Sequence, residues 1–160
     1  MNVYCINLPL IQTYNPIQTF QDRQSLDPHE KCWAIATDFE RYPDWAKDVK
    51  SAVVLARDEE GRATQVEFRT SALGRSTHYT LSYDYSAAPA RLSWHMVSGD
   101  IMRAVDGAYM FSPDNSGGVV LTYNLSIELV VPLPGFVKRR AEVRILNTVK
   151  ELKVQAESAQ

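Results

Sequence analysis

Cysteine is scarce in this chain. Cys5 and Cys32 are the only two, and they lack the spacing of a disulfide framework. Such a pair fits a reducing compartment and a fold that does not depend on covalent cross-links. Histidine is equally sparse: His29, His78 and His95 form no HxH or HExxH arrangement and join no Cys/His cluster. No metal site is expected from them. G-x-S-x-G, P-loop and G-x-G-x-x-G runs are missing too, which removes the usual hydrolase, NTPase and dinucleotide readings and leaves no cofactor to expect. No apolar run approaches the roughly 18 residues of a transmembrane helix. Residues 1–22 hold no lysine or arginine and Pro9 interrupts their apolar run, so the pattern of a secretory signal is not met and a cytoplasmic location is expected. A net charge of −2 argues against nucleic acid, whose phosphates call for a concentrated basic face.

What is present reads as one globular unit. The chain has 160 residues, 45% of them apolar and 22% charged, enough to bury a substantial core in a single domain. Residues 1–16 are read as an N-terminal arm or tail and residues 17–160 as the domain. A weakly patterned first strand is expected within 17–26, with Phe20 and Leu26 on one face. Asp27-Pro28 then opens a helix, Asp27 at the N-cap, Pro28 in the first turn and Glu30 completing a capping box. It runs to about Thr37 with Cys32, Ile35, Ala36 and Phe39 available to face inward, so the Cys32 thiol is read as an inert core group. Phe39, Tyr42 and Trp45, spaced three apart, suit a short helical turn with one apolar face, kept separate by Pro43.

From Val49 the hydrophobic period becomes two. Strands are expected over 49–57, 62–70, 75–85, 91–97, 101–111 and 119–129, divided by turn residues such as Gly61, Gly74, Ser98-Gly99-Asp100 and the run from Pro113 to Gly118. Each strand has one apolar face: Val66 and Phe68; Tyr79, Leu81, Tyr83 and Tyr85; Leu92, Trp94 and Met96; Val105, Gly107, Tyr109 and Phe111; Leu121, Tyr123, Leu125 and Ile127. Short turns and one covered face describe an antiparallel meander. Over 134–157 the period changes again. Val137, Ala141, Ile145, Val149, Leu152 and Ala156 recur every three or four residues, with Leu146 widening the stripe. The resulting helix is about 35 Å long and needs a surface to lie on. The fold class expected is α+β, a curved antiparallel sheet gripping one long C-terminal helix.

Asp38-Phe39-Glu40-Arg41-Tyr42-Pro43-Asp44-Trp45, the Gly107-Ala108-Tyr109 strand and the run from Val131 to Arg140 (VPLPGFVKRR) carry a resemblance. Together they resemble the START-like SRPBCC superfamily, and more closely its polyketide cyclase/dehydrase-type and Coq10-like lipid-binding members, across about residues 23–158. The resemblance implies a helix-grip (Bet v 1/START-like) fold: one strand, two short helices, six further antiparallel strands and a long helix over a cavity. The chain departs from it in front, where relatives begin near their first strand.

Candidate site residues follow from the covered face. A dry core favours Leu, Val and Phe, because a buried phenol needs a hydrogen-bond partner. Several inward tyrosines therefore suggest a ligand site with polar handles. The ligand-binding set comprises Phe68, Tyr79, Leu81, Tyr83, Trp94, Met96, Arg103, Tyr109, Phe111 and Tyr123 on the sheet, with Val137 and Ile145 on the long helix. Arg69 falls opposite Phe68 and should meet solvent. Arg103 is in phase with Val105 and Tyr109, leaving an inward and a solvated placement both open. No catalytic constellation stands out, so enzyme or not stays open. The expected partner is a hydrophobic small molecule (lipid, isoprenoid or polyketide-like) bound without catalysis. The alternatives are a cyclase/aromatase-like enzyme using Arg103, Tyr109 or Tyr123 to orient a polyketone, and an interaction module. Lys138, Arg139 and Arg140 form the one basic concentration and suggest peripheral membrane contact. The expected assembly is a monomer or homodimer.

Overall fold

The computed structural model describes residues 3–8, 27–72, 74–113, 115, 117–130 and 134–158. The elements run β1 (Val3–Leu8), α1 (Pro28–Thr37), a 3-10 turn (Phe39–Arg41), α2 (Tyr42–Trp45), β2 (Val49–Arg57), β3 (Ala63–Ala72), β4 (Arg75–Asp84), β5 (Arg91–Gly99), β6 (Met102–Pro113), β7 (Val119–Leu129) and α3 (Gly135–Ser158). All strands join one antiparallel sheet in the order β1-β7-β6-β5-β4-β3-β2. Six of them form the expected meander. β1 joins its far edge, beside the last strand, with Val3 opposite Glu128 and Leu8 opposite Tyr123. This strand lies in the stretch read from sequence as an arm or tail: its pairing with β7, remote in sequence, leaves no local pattern to read. The strand expected within 17–26 lies outside the described residues.

Local chemistry accounts for the boundaries. Gly61, Gly74 and Gly117 take φ values of 80°, 76° and 85° in the β2–β3, β3–β4 and β6–β7 connections, a conformation that a Cβ disfavours. α1 begins where Asp27-Pro28 placed it, but the Asp27 side chain makes no cap hydrogen bond, so the expected capping box is not formed. At its other end, the last-turn carbonyl of Ala36 accepts a 2.6 Å hydrogen bond from the Tyr42 hydroxyl. That contact satisfies one of the helix's orphan acceptors. It also fixes α2 against α1.

Bulges alter the alternation at two informative places. Met102 sits opposite Leu129 while Ala104 sits opposite Glu128, which makes Arg103 an extra residue in β6. A second irregularity follows Thr80, where Ser98 pairs Thr80 but Met96 pairs Leu81, leaving Val97 unpaired. Val97 is exposed as a result.

The core lies between the concave face of the sheet and the helices. Val66, Phe68, Leu81, Tyr83, Leu92, Trp94, Val105, Tyr109, Phe111 and Leu125 are buried from the strands, Ala36, Phe39 and Tyr42 from the short helices, and Leu152 from α3. α3 is seated by its C-terminal half, where Val149, Leu152 and Ala156 are buried and α1 and α2 are its nearest neighbours. Glu151 accepts a 3.2 Å hydrogen bond from the Lys47 amide, and Arg144 lies 3.5 Å from Asp48, so the turn after α2 also holds it. Toward its N-terminus Val137 is half-buried, while Phe136 and Val143 are exposed on the outer side of the helix. The side chains of Ala141, Ile145 and Leu146 lie outside the described residues. No described helix is long and apolar enough to cross a membrane.

Candidate ligand-binding face

Strand alternation places the predicted sheet residues on one surface. Phe68 on β3 is opposite Tyr79 on β4, Tyr83 is opposite Trp94 on β5, and Tyr109 on β6 is opposite Tyr123 on β7. Their rings form a nearly continuous layer. Centroids are 5.6 Å apart for Phe68–Tyr79, 5.9 Å for Tyr83–Trp94, 5.0 Å for Trp94–Tyr109 and 5.2 Å for Tyr109–Tyr123. These are the tilted and offset separations that aromatic pairs prefer.

The short helices add rings that the sequence-based set omitted. Phe39 sits 4.3 Å from the Tyr83 ring, Tyr42 touches Phe68, and Trp33 meets Phe111 edge-on at 5.4 Å. The three-residue spacing of Phe39, Tyr42 and Trp45 had signalled a helical face without showing what it would cover. Trp33 gave no signal of its own, because its partner lies far along the chain.

Gly107 makes the layer possible. A Cβ built there would lie 2.4 Å from Trp94 Cζ2, 2.5 Å from Cε2 and 2.7 Å from the backbone oxygen of Asn124. The Trp94 indole therefore lies flat across β6 in space that only glycine leaves. From sequence, Gly107 showed as an in-phase position of the face and as part of the Gly107-Ala108-Tyr109 resemblance, without any sign of the indole it accommodates.

Desolvation governs the phenols. It raises Tyr42, Tyr83 and Tyr123 well above the usual range, reinforced by repulsion from neighbouring tyrosines, and pushes Tyr79 up to about 12 against a counteracting hydrogen bond with Thr70. Tyr109 is raised by burial and drawn back in part by its hydroxyl contact with Tyr42. Tyr85, whose hydroxyl donates to the Ala63 carbonyl at 2.9 Å, is pushed up to about 12, again by burial. These groups stay neutral near neutral pH. Beside them Thr70 and Thr77 share a 2.9 Å hydroxyl hydrogen bond, a further polar pair on the same face.

Arg69 and Arg103 both stay off this surface. Arg69 is exposed and donates from Nε to His78 Nε2 at 2.8 Å on the opposite face. Arg103, one of the predicted site residues, is exposed as well and lies 3.9 Å from Glu128. The bulge is the reason: it puts Met102 in the inward register and leaves Arg103 on the outer side. From α1, the His29 ring lies tilted against Phe111 with centroids 5.6 Å apart. Desolvation raises the Cys32 thiol, in keeping with a core role. No group of three or more His, Cys, Asp or Glu side chains fit to hold a metal ion occurs among the described residues.

The inward face is not packed shut. Tyr79, Met96, Leu121, Tyr123 and Ile127 pack on the core yet keep accessible surface. Val137 is half-buried near the N-terminus of α3, and the Ile145 side chain lies outside the described residues. Of the ten predicted residues on the sheet, nine share the concave face and Arg103 departs from it.

Comparison with known proteins agrees with this architecture. The family described as "Polyketide cyclase / dehydrase and lipid transport" matches residues 27–152. Among curated protein sequences, none matches this chain. Of solved structures, a START superfamily protein from Mycobacterium smegmatis is similar with a TM-score of 0.75 at 20% identity, covering 99% of this chain and 98% of that one. Ara h 8.0201 is similar with a TM-score of 0.67 at 14% identity, covering 98% and 99%. The Zhui aromatase/cyclase from a Streptomyces species is similar with a TM-score of 0.53 at 12% identity, covering 99% and 88%. At these identities the likeness is one of fold.

Proposed function

The chain belongs to the polyketide cyclase / dehydrase and lipid transport family, and from that premise we propose that it binds a hydrophobic small molecule, without catalysis, between the concave face of the sheet and α3. One observation supports this reading above others: the ring layer from Phe68 to Tyr123 keeps accessible surface at Tyr79 and Tyr123 while, among the described strand residues, presenting no charged side chain. A dry structural core would close over such groups. A ligand would supply the missing contact surface.

The chemistry narrows the ligand class. Neutral phenols donate hydrogen bonds, and the surface between them is aromatic and aliphatic. The fitting ligand is uncharged and largely apolar, with one or a few acceptor oxygens: a lipid, an isoprenoid or a polyketide-like compound. Nothing on this face activates a nucleophile or balances a developing charge, so a binding role accounts for it without a chemical step.

Native mass spectrometry of the protein freshly purified from its own organism tests the proposal, followed by denaturation and identification of what is released. A hydrophobe of defined mass is the expected result. An empty protein that also fails to bind any member of a lipid, isoprenoid and polyketide panel would overturn it.

A further inference from the structure

α3 has a second apolar stripe, opposite the buried one. At 100° per residue, Phe136, Val143 and Val154 fall on one line of the helix, and Arg139, Arg140 and Lys150 fall within about 60° of it. All six are exposed, with Phe136, Val143 and Val154 at 66%, 55% and 62%. Val149, Leu152 and Ala156, which seat the helix, point the other way. A helix that needed only to cover the sheet would carry polar residues on its outer side. This one interleaves apolar and basic residues over about 27 Å, and the two carboxylates at its edges are engaged, Glu151 with the Lys47 amide and Glu157 with Lys153 at 3.5 Å.

We propose that this outer face of α3 docks the protein on an anionic lipid bilayer, the helix lying in the plane of the surface. Charge selects the partner. The chain is net negative, yet the exposed charges between Phe136 and Val154 on this face, Arg139, Arg140 and Lys150, are all cationic, and the positive end of the helix dipole adds to Arg139 and Arg140. The dipole disfavours cations at that end unless an anionic surface meets them. Apolar side chains flanked by arginine and lysine are the composition of interfacial helices, whose apolar side enters the headgroup boundary while the cations meet phosphates. A second copy of the chain is disfavoured, since two such faces would bring like charges together. The proposal stands independently of the ligand reading. It also places the N-terminal half of α3 at the bilayer, where an apolar ligand would enter or leave.

Cosedimentation of the full chain with vesicles provides the test. Vesicles of equal parts phosphatidylglycerol and phosphatidylcholine should bind the protein, more weakly at high salt, and pure phosphatidylcholine should not. Each neutralised arginine should weaken binding about fivefold, so Arg139→Gln with Arg140→Gln should weaken it about twenty-five-fold. Phe136→Ser should weaken it further. These side chains are exposed, and circular dichroism should show an intact fold in every variant. Equal binding to both vesicle types, or undiminished binding by the double arginine variant, would overturn the proposal. So would a dimer in sedimentation velocity that Val143→Glu abolishes, or binding to soluble polyglutamate as tight as to vesicles, which would assign the face to a protein partner.

Discussion

Replacing Gly107 with alanine is the sharpest probe of how the aromatic face is built. The new Cβ would fall 2.4 Å from Trp94 Cζ2 and 2.7 Å from the Asn124 backbone oxygen, far inside van der Waals contact. The β7 backbone is held on both sides, by β6 and by β1, so the indole must move. Trp94 is buried and touches Tyr83, Tyr109 and Tyr123, which means the displacement is shared by three further rings. Overpacking a filled interior costs about 1–3 kcal/mol, and the rigidity of these neighbours argues for the upper part of that range. For a domain of this size each kcal/mol lowers Tm by about 2–4 °C, so a drop of about 4–12 °C is expected. Thermal unfolding followed by circular dichroism measures it, and tryptophan fluorescence reports the altered indole environment. Combining Gly107→Ala with Trp94→Leu should cost less than the sum of the two single changes, because the larger variant's clash disappears with the indole. A Gly107→Ala protein within about 0.5 kcal/mol of wild type, with unchanged fluorescence, would refute this account of the packing; that margin is the usual spread of inert substitutions.

Three other outcomes follow from the same structure. Tyr42→Phe removes the hydroxyl that caps the Ala36 carbonyl and should destabilise the fold by about 1–3 kcal/mol in urea titration; no change would mean the contact is dispensable. Arg103→Ala breaks only an exposed 3.9 Å pair, so stability should change by less than about 1 kcal/mol, and affinity for any ligand identified by mass spectrometry should be unaltered. A large loss of affinity would restore an inward role for that arginine. Alkaline titration should separate the folded protein from its unfolded chain. Tyr79 and Tyr85 titrate near 12 when folded and near 10 when unfolded, so the unfolded state loses protons first and stability falls as pH rises from about 10 toward 12. Near-ultraviolet absorbance should show these phenols ionising together with unfolding. Ionisation near pH 10 in a protein that remains folded would contradict their burial.

Sequence by itself determined the succession of elements. Alternation from Val49 to Leu129, the glycine turns and the stripe ending in Val149, Leu152 and Ala156 are local patterns, each fixed by backbone geometry within a few residues. They sufficed to put Phe68, Tyr79, Tyr83, Trp94, Tyr109 and Tyr123 on one face. Tertiary structure alone decided what depends on residues distant in the chain. β1 is recognisable only through β7, and Trp33 and Tyr42 gain meaning only against Phe111 and the Ala36 carbonyl. Gly107 is a void until the Trp94 indole occupies it. Arg103 shows the limit most clearly, since strict alternation aims it inward and one bulged residue turns it out. A period-two pattern contains parity but no record of a bulge, because the bulge arises from how β6 and β7 fit together and not from either strand alone.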